Sequence, residues 1–375
     1  MEGGKVYDTV IVGGGPAGLL ISSELSKKFK VLVIDKMKIG ETTKNWTTEE
    51  SIIKKAGFER FISAKFGKCY LKSFKDNKFI IYDKAASIDE KKLLLYLKNK
   101  INSNGSDLKS YCEFLSLRHK DNYLRIKTSK GDFFSKLLID CSGVNSKLIE
   151  KYNIFEKFHY CVIYGEIYKK ISLKEEDFCL GETMIKSYPI NFFEIFPVRN
   201  REYVFYTFRY INNRINPFKL KNIHKRHVKI WDKKRILKEK NLRKVVYGLV
   251  PLGIIKGNAA DNIFFFGDTS LIGTPTITSG FTNIIQHYKK YAKHITKCIR
   301  SNLLDEKSLN YPYTELEKMN RDLLLIISIL FLKSKPKEMD IITDAFGKLP
   351  NHVIKNLIFL RITPKQIYIF IHVLV

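Results

Sequence analysis

The pattern of apolar positions predicts a strand, a turn, a helix and a second strand at the start of this chain. Val6 to Val12 is a largely apolar, β-branched run of strand length, as expected of a buried strand. A glycine-rich turn follows, and Leu19 to Lys28 has the pattern of a helix. Val31 to Ile34 is a second apolar strand that ends at Asp35. This order is typical of an α/β fold.

The glycines of the turn have the spacing G-x-G-x-x-G, which favours nucleotide binding. The first glycine permits the turn, the second lets the backbone approach a pyrophosphate, and the third lets helix and strand pack closely. Phosphates then lie against the free N–H groups of the helix N-terminus. Asp35 stands 22 residues after the first glycine, where a carboxylate accepts hydrogen bonds from a ribose diol and disfavours NADP. The predicted nucleotide-binding residues here are Gly13, Gly15, Pro16, Ala17, Gly18 and Asp35.

Further along, the pattern changes from helical to alternating. Ser87 to Glu90 predicts a capping box before an apolar-periodic helix over Lys91 to Ile101. Three alternating segments between Cys112 and Ile139 predict a β-meander. Residues 151–255 are strand-rich and aromatic, which indicates an inserted antiparallel sheet over a substrate cavity, and a basic stretch at 212–245 interrupts them.

The last part of the chain, from Tyr311 to Val375, is helical and very apolar in pattern. Its longest apolar run, at 323–332, spans ten residues, too few to cross a bilayer. Packing in the core and resting in a membrane interface both fit this pattern.

Composition adds a strong positive charge without a nucleic-acid motif. The chain has 375 residues, 45% of them hydrophobic, with 66 basic against 38 acidic residues and a net charge of +28. The excess is mostly lysine spread along the sequence, which favours a solvated surface over attraction to an anionic membrane, and over nucleic acid. Six cysteines form no CxxC pair, so a reducing cytoplasm is expected, with the inner face of a membrane as the alternative. No apolar signal core is evident at the N-terminus. We predict no metal site and expect His224 and His227 to be solvated.

Two later motifs extend the nucleotide pattern. "IDCSG" at 139–143 and "NIFFFGD" at 262–268 both end apolar strands. In this order the three motifs resemble flavoproteins of the glutathione-reductase lineage, which includes p-hydroxybenzoate hydroxylase and geranylgeranyl reductases. The resemblance implies FAD as cofactor, with NAD(P)H as one conceivable reductant. It also implies that Asp268 contacts the ribityl chain and that the helix after Gly280 points its N-terminus at the flavin. The cofactor residues implied in this way are Asp140, Gly143, Gly267, Asp268 and Gly280.

The implied fold class is α/β, a glutathione-reductase-type Rossmann FAD domain with an inserted antiparallel β substrate domain and a helical C-terminal cap. The expected segments are 1–150 for the first part of the FAD domain, 151–255 for the substrate domain, 256–300 for the return to the FAD domain, and 301–375 for the cap.

Within this lineage, most of the chain resembles the lycopene cyclase family. Trp46 stands eleven residues after Asp35, close to the spacing of the family's His-Thr-Trp-Ser segment. Residues 192–210 match two family strands without gaps, and the C-terminal helices are similar. The family uses reduced FAD and a glutamate that protonates a polyene, since a weakly basic alkene requires a carboxylic acid. Here Tyr206 stands at that glutamate's position.

Three explanations of this difference remain open. Glu194, on the preceding strand, could replace the missing acid if an apolar cavity keeps it protonated. Alternatively, the chain performs flavin-dependent reduction or oxygenation of an alkene, or Glu194 is a plain exposed residue. The segment "IGETT", which contains Glu41, resembles a segment of flavin halogenases. The Trp-x-Trp-x-Ile-Pro motif of those halogenases is absent from this chain.

We therefore expect an FAD-dependent enzyme for a large apolar polyene or prenyl substrate, with Glu194 and Tyr206 as candidate catalytic residues. Cyclisation is the first hypothesis, and oxidoreduction of a similar lipid is the alternative. A flavin-binding protein without catalysis is the third. The sequence leaves the oligomeric state open.

Overall fold

The computed structural model describes residues 5–75, 78–120, 122–233, 236–273, 280–358 and 361–374. The strands are β1 (Val6–Val12), β2 (Val31–Asp35), β3 (Thr47–Glu49), β4 (Ile62–Lys72), β5 (Lys78–Ile88), β6 (Asp107–Ser110), β7 (Phe114–Lys120), β8 (Tyr123–Thr128), β9 (Gly131–Asp140), β10 (Phe155–Lys169), β11 (Cys179–Glu182), β12 (Phe192–Arg199), β13 (Glu202–Ile211), β14 (Leu242–Ile255), β15 (Ala259–Ala260) and β16 (Ile263–Phe265). The helices are α1 (Pro16–Leu25), α2 (Glu50–Ala56), α3 (Glu90–Ser103), α4 (Lys147–Lys151), α5 (Lys221–Trp231), α6 (Gly280–Arg300), α7 (Glu306–Leu309), α8 (Glu315–Lys333), α9 (Pro336–Lys348), α10 (Asn351–Ile358) and α11 (Pro364–Leu374).

The first sheet contains the nucleotide motifs. Its order is β15-β16-β9-β1-β2-β6, and β1 pairs in parallel with both β2 and β9. Strands β7, β8 and β9 pair antiparallel in succession, which confirms the predicted meander. The predicted α/β class with a Rossmann-like sheet is therefore correct.

Burial on both faces explains why the first two strands are continuously apolar. Ile11 and Val33 pack into a core shared with α1, α3 and α6. Val10 and Leu32 face the opposite side, where they pack with the meander and α4. A parallel strand covered on both sides has no polar face, so its sequence does not alternate.

The second sheet takes strands from two separate parts of the chain. Its order is β14-β10-β13-β12-β11-β4-β5-β3, so residues 47–88 join the inserted strands of 155–255. That early segment was expected to belong to the FAD domain, within residues 1–150. β4 gave no strand signal because nearly all of its residues are half-buried, which leaves no alternation between apolar and polar positions.

The two faces of the second sheet have different surroundings. Glu194 pairs directly with Tyr206 across β12 and β13, so both side chains lie on the same face. Thr207 points to the opposite face, where α5 packs against β13 and β10. The prediction that His224 and His227 are solvated is wrong, because both are fully buried. The lysines of α5 occupy its outer side, and the apolar and histidine side faces the sheet.

These buried histidines are held through one threonine. Oγ1 of Thr207 lies 3.1 Å from Nδ1 of His224 and 2.9 Å from Nδ1 of His227. His224 also has Glu166 at 3.6 Å from its Nε2. Burial, followed by the neighbouring His224 and Arg226, lowers the pKa of His227 to about 3.

This shift predicts acid sensitivity. In the unfolded chain His227 gains a proton near its ordinary pKa, whereas in the folded chain it does so only near 3, so the unfolded state binds more protons between these values. The free energy of unfolding is therefore expected to fall with decreasing pH by about 1.4 kcal/mol per pH unit for this residue. Urea denaturation of His227→Asn should show a pH slope that is shallower by this amount. Equal slopes in variant and parent would contradict the burial of a neutral imidazole.

The predicted capping box of α3 is replaced by a different cap. Oδ1 of Asp89 accepts from the N–H of Lys92 at 3.2 Å, whereas the hydroxyl of Ser87 donates to the carbonyl of Pro197 at 2.5 Å. Ser87 lies in β5 and its side chain bonds across the second sheet, so it cannot reach the helix.

The C-terminal helices pack on the second sheet and beside the nucleotide motifs. α8 contacts β13 and β14, and α9 and α10 contact β5. The buried guanidinium of Arg321 on α8 donates to the carbonyl oxygens of Gly253, at 3.2 Å, and Leu271. Across the described ranges, no helix combines the length and the apolar composition that crossing a membrane requires.

Candidate functional site

One large cavity lies between the two sheets. Its volume is about 730 Å³, and it is lined both by the glycine turn of the first sheet and by the face of the second sheet that carries Glu194. Of the predicted catalytic and cofactor-binding residues, those lining it are Gly13, Gly15, Pro16, Ala17, Asp35, Gly143, Glu194, Tyr206, Asp268 and Gly280.

The glycine turn is shaped by two close backbone approaches and one open position. Gly13 has φ +110°, and a Cβ there would lie 2.3 Å from the carbonyl oxygen of Cys141. A Cβ on Gly18 would lie 1.8 Å from the carbonyl oxygen of Gly13. Gly15 has no atom within 4 Å of an added Cβ, because it faces the cavity. Only the middle glycine therefore leaves room for a ligand.

The start of α1 meets the cavity with uncapped N–H groups. No side chain caps the helix, which begins at Pro16, and the backbone dipoles converge at this end. An anionic group in the cavity would satisfy these donors. The turn therefore fits a pyrophosphate.

Asp35 lines the cavity at the end of β2 and also orders the loops around it. One carboxylate oxygen accepts from the N–H of Gly14 at 2.6 Å, and the other accepts from the N–H of Met37 at 2.7 Å. Each oxygen retains a second lone pair, so the group can still accept from a ribose hydroxyl.

Asp268 converges with two glycines on the same wall. Its carboxylate lies 3.3 Å from the position of a Cβ on Gly280 and 4.0 Å from that on Gly143. A side chain at Gly280 would crowd the carboxylate, whereas one at Gly143 would only touch it. Residues 274–279, which belong to the segment predicted to lead into α6, lie outside the described residues.

Three predicted cofactor residues lie beside the cavity lining and shape it. Asp140 is buried and accepts hydrogen bonds from the N–H and hydroxyl of Ser142 and from the hydroxyl of Ser146. Burial raises the pKa of Asp140, and these hydrogen bonds oppose the shift. Gly267 packs against Ala17, since a Cβ added to Gly267 would lie 2.7 Å from the Cβ of Ala17. Gly18 packs against Gly13 in the same way. Their geometry supports the loops that line the cavity.

On the substrate side, Glu194 and Tyr206 lie in a corner of the cavity with apolar surroundings. Glu194 is enclosed by protein except toward the cavity, and burial raises the pKa of its carboxyl to about 8. Burial and the charge of Glu194 raise the pKa of Tyr206, while a hydrogen bond from the backbone of Asn45 opposes that shift. The surrounding side chains include Phe66, Ile163, Phe196 and Val250. A protonated carboxyl therefore faces an apolar space at neutral pH.

The loop from Glu41 to Trp46 contributes two further residues to the site. Lys44 was not predicted as a site residue, and Trp46 was recognised only by its spacing after Asp35. Lys44 lies across the cavity, with its Nζ 3.4 Å from a carboxylate oxygen of Asp268. Trp46 stacks on Phe281 at the start of α6, with ring centroids 4.7 Å apart and an interplanar angle of 6°. The position of Lys44 between the second strand and Trp46 was the only available signal.

The cavity is not where the excess positive charge of the protein lies. Its charged or titratable acid and base side chains include two lysines, Lys44 and Lys355, and five carboxyl groups, those of Asp35, Glu41, Glu49, Glu194 and Asp268. Among the described residues, no group of three or more histidine, cysteine, aspartate or glutamate side chains is placed to hold a metal ion.

Comparison with known proteins agrees with this geometry. Residues 10–179 match the family model described as pyridine nucleotide-disulphide oxidoreductase, which is slightly less than half of the chain. A geranylgeranyl bacteriochlorophyll reductase-like protein from Thermoplasma acidophilum has a similar structure, with a TM-score of 0.74 at 15% identity over 98% of this chain and 96% of that chain. The chain has the fold of FAD-dependent oxidoreductases.

Other enzymes of this fold are similar over comparable lengths. The p-nitrophenol 4-monooxygenase PnpA from Pseudomonas putida gives a TM-score of 0.68 at 12% identity, covering 99% of this chain and 98% of that chain. The halogenase PltM, in a complex with phloroglucinol and FAD, gives 0.67 at 11% identity, covering 98% and 90%. No curated protein sequence matches the chain. At these identities the comparisons establish the fold and not the reaction.

Proposed function

We propose that this protein is an FAD-dependent oxidoreductase that reduces a carbon–carbon double bond in a large apolar substrate. The observation that carries the proposal is the single cavity in which the glycine turn, Asp268 and Glu194 all take part. FAD, when bound, supplies the electrons. The residues that would hold it are Gly13, Gly15, the N-terminus of α1, Asp35 and Asp268.

The protein's own contribution to the reaction is a proton held in an apolar corner. Reduction of an alkene adds two hydrogens and two electrons. One hydrogen accompanies both electrons, as a hydride, when reduced FAD supplies them, so the second hydrogen must arrive as a proton. The carboxyl of Glu194 can supply it, because burial disfavours its anion and raises its pKa to about 8. A general acid whose pKa lies near the working pH is well matched to this task. Tyr206 pairs with Glu194 across the two strands and lies beside it on the same face of the sheet.

The same acid favours a second candidate, the cyclisation of a polyene without net redox change. The lycopene cyclase resemblance suggests it, and a protonated carboxyl in an apolar wall is the feature that such chemistry requires. The absence of the family's glutamate at Tyr206 makes it the weaker candidate, although Glu194 directly opposite could supply the proton.

The products distinguish the two candidates. The protein would be reconstituted with FAD, reduced with dithionite, and incubated separately with a geranylgeranyl-bearing lipid and with lycopene. Reduction is expected to add two hydrogens to the mass of the product and to oxidise the flavin, whereas cyclisation leaves both unchanged and alters only the chromatographic retention. Oxygen incorporation when air is admitted would instead indicate a monooxygenase. A protein that binds FAD and transforms neither probe under any of these conditions would argue against both candidates.

Removing the carboxylate of Asp268 is expected to weaken FAD binding. A hydrogen bond from a ribityl hydroxyl to a carboxylate contributes about 1.5–3 kcal/mol, so Asp268→Ala should raise the dissociation constant by at least about tenfold. Fluorescence titration of the apoprotein with FAD measures this change. Asp344→Ala, at an exposed position of α9, is the matched control and should bind FAD as the parent does. Equal affinity of the two variants would place the cofactor away from Asp268.

A further inference from the structure

One face of α8 exposes a row of large apolar side chains. Leu316, Met319, Ile326 and Leu330 are 40%, 38%, 57% and 44% exposed, and Leu323 between them is partly buried. The row, which we call the α8 stripe, repeats at intervals of three, four, three and four residues. This is the spacing of the a and d positions of a coiled coil.

The α8 stripe is a second apolar face of α8, separate from the side that packs against the protein. Its opposite side, which includes Arg321, Leu324 and Ser328, is buried against the body of the protein. A helix with only one side in contact needs one apolar face, and α8 has two. The second face extends over four turns, a length of about 21 Å. Leu323 within it packs against the neighbouring core, whereas the other four side chains of the stripe remain exposed among the described residues.

We propose that the α8 stripe is the interface of a symmetric homodimer, in which α8 packs antiparallel against α8 of a second copy of this chain. A two-fold contact requires a surface that is complementary to itself. With the axis between residues 323 and 326, Leu323 meets Ile326 of the second copy, and Met319 meets Leu330. Both of these pairs join apolar side chains of similar size, and Leu316 of each copy lies level with Lys333 of the other, whose alkyl stem is also apolar.

The charges at the ends of the α8 stripe fit the same arrangement. Glu315 begins α8 and Lys333 ends it, and both are exposed. Glu315 also pairs with Lys318 of its own helix at 2.7 Å, and its second carboxylate oxygen can face a second copy. In the antiparallel pair, Glu315 of each copy lies beside Lys333 of the other, which joins opposite charges at both ends. A parallel pair would bring Glu315 to Glu315 and Lys333 to Lys333. The charge pattern therefore favours the antiparallel order.

The flank of the α8 stripe disfavours an anionic lipid surface as its occupant. Asp322 is exposed on the same side of the helix as Ile326, and Glu315 stands at its start. Anionic lipids repel carboxylates near their surface. Of the two exposed lysines of α8, Lys318 and Lys333, Lys318 already pairs with Glu315. A second copy places Lys333 beside Glu315, a cation that an anionic membrane lacks.

The test is the mass of the FAD-reconstituted full chain in solution. Sedimentation equilibrium over a roughly hundredfold range of concentration is expected to show a monomer–dimer equilibrium. Ile326→Glu places a carboxylate at the centre of the interface twice, once from each copy, and should raise the dimer dissociation constant by at least about tenfold. Ile341→Glu is the matched control, since Ile341 on α9 is 69% exposed and lies outside the α8 stripe. It should dimerise as the parent does.

A charge exchange tests the antiparallel order. Glu315→Lys and Lys333→Glu should each weaken the dimer, and the double variant should restore it, because opposite charges again face each other. A protein that is monomeric throughout, or a dimer unaffected by Ile326→Glu, would overturn the proposal. So would binding of anionic vesicles that Ile326→Glu abolishes and Ile341→Glu does not, since the α8 stripe would then contact lipid.

Discussion

Replacement of Glu194 by glutamine is expected to lower the rate of substrate conversion by at least about a hundredfold, while FAD stays bound. Glutamine has nearly the shape of glutamic acid but cannot transfer a proton. Glu194 lies on β12 in the second sheet, whereas the residues that would hold the cofactor lie on the first sheet and its loops. Single-turnover oxidation of the reduced protein by substrate, together with the FAD content of the purified variant, separates chemistry from binding.

The pH dependence of the same reaction provides an independent measurement. Because the pKa of Glu194 is raised to about 8, the acid is present below that pH and is lost as the pH rises through it. The rate in the parent should therefore decline above about pH 8. The residual rate of Glu194→Gln should lack this decline. Glu156→Gln, at an exposed position of β10, is the control for the loss of a surface carboxylate and should behave as the parent.

Glu194→Gln should also increase the free energy of unfolding near pH 8, which the loss of a merely structural side chain would not do. The raised pKa means that the folded protein retains a proton that the unfolded chain releases. Between the ordinary pKa of 4.5 and about 8, this linkage lowers the free energy of unfolding of the parent as the pH rises, by about 1.4 kcal/mol per pH unit. Glutamine does not ionise, so Glu194→Gln should be more stable than the parent near pH 8 and similar to it near pH 4. Full activity of the variant, or lower stability near pH 8, would remove Glu194 from the proposed role.

The nucleotide half of the site could be predicted from the sequence because its signals are local. Gly13, Gly15 and Gly18 lie within one turn, and Asp35 ends the strand that follows. Backbone geometry over a few residues fixes where such groups lie, and the structure places three of these four on the cavity wall. The meander before Asp140 was predictable for the same reason, since alternation and turn residues mark each strand.

The substrate half depends on contacts between distant residues, and the sequence could not specify them. Alternation places Glu194 and Phe192 on one face of a strand, but only the tertiary packing decides that this face lines a cavity. The burial of His224 arises in the same way, because the sequence of a lysine-rich helix does not specify which of its sides packs against a sheet. Asp140 illustrates the opposite case, since its motif was recognised but its carboxylate is engaged by Ser142 and Ser146.

The glycine turn offers the second large effect, because two of its glycines have different tasks. Gly15 has φ −78° and ψ −170°, which any residue can adopt, and an added Cβ would meet no atom within 4 Å. Gly15→Val should therefore fold normally and place its side chain in the cavity. Since the backbone could no longer approach the pyrophosphate, the loss of about 3 kcal/mol would raise the FAD dissociation constant about a hundredfold.

Gly18→Ala is the informative counterpart, because its added methyl group would meet protein and not the cavity. The new Cβ would lie 1.8 Å from the carbonyl oxygen of Gly13, so α1 must move away from β1, at a cost of about 1–3 kcal/mol in the free energy of unfolding of the apoprotein. Urea denaturation without cofactor should therefore show a lower free energy of unfolding for Gly18→Ala and an unchanged one for Gly15→Val. FAD titration should show the hundredfold loss of affinity in Gly15→Val, although that variant is as stable as the parent. If Gly15→Val bound FAD as tightly as the parent, the pyrophosphate could not lie at this turn, and the cofactor would have to occupy the cavity in another orientation.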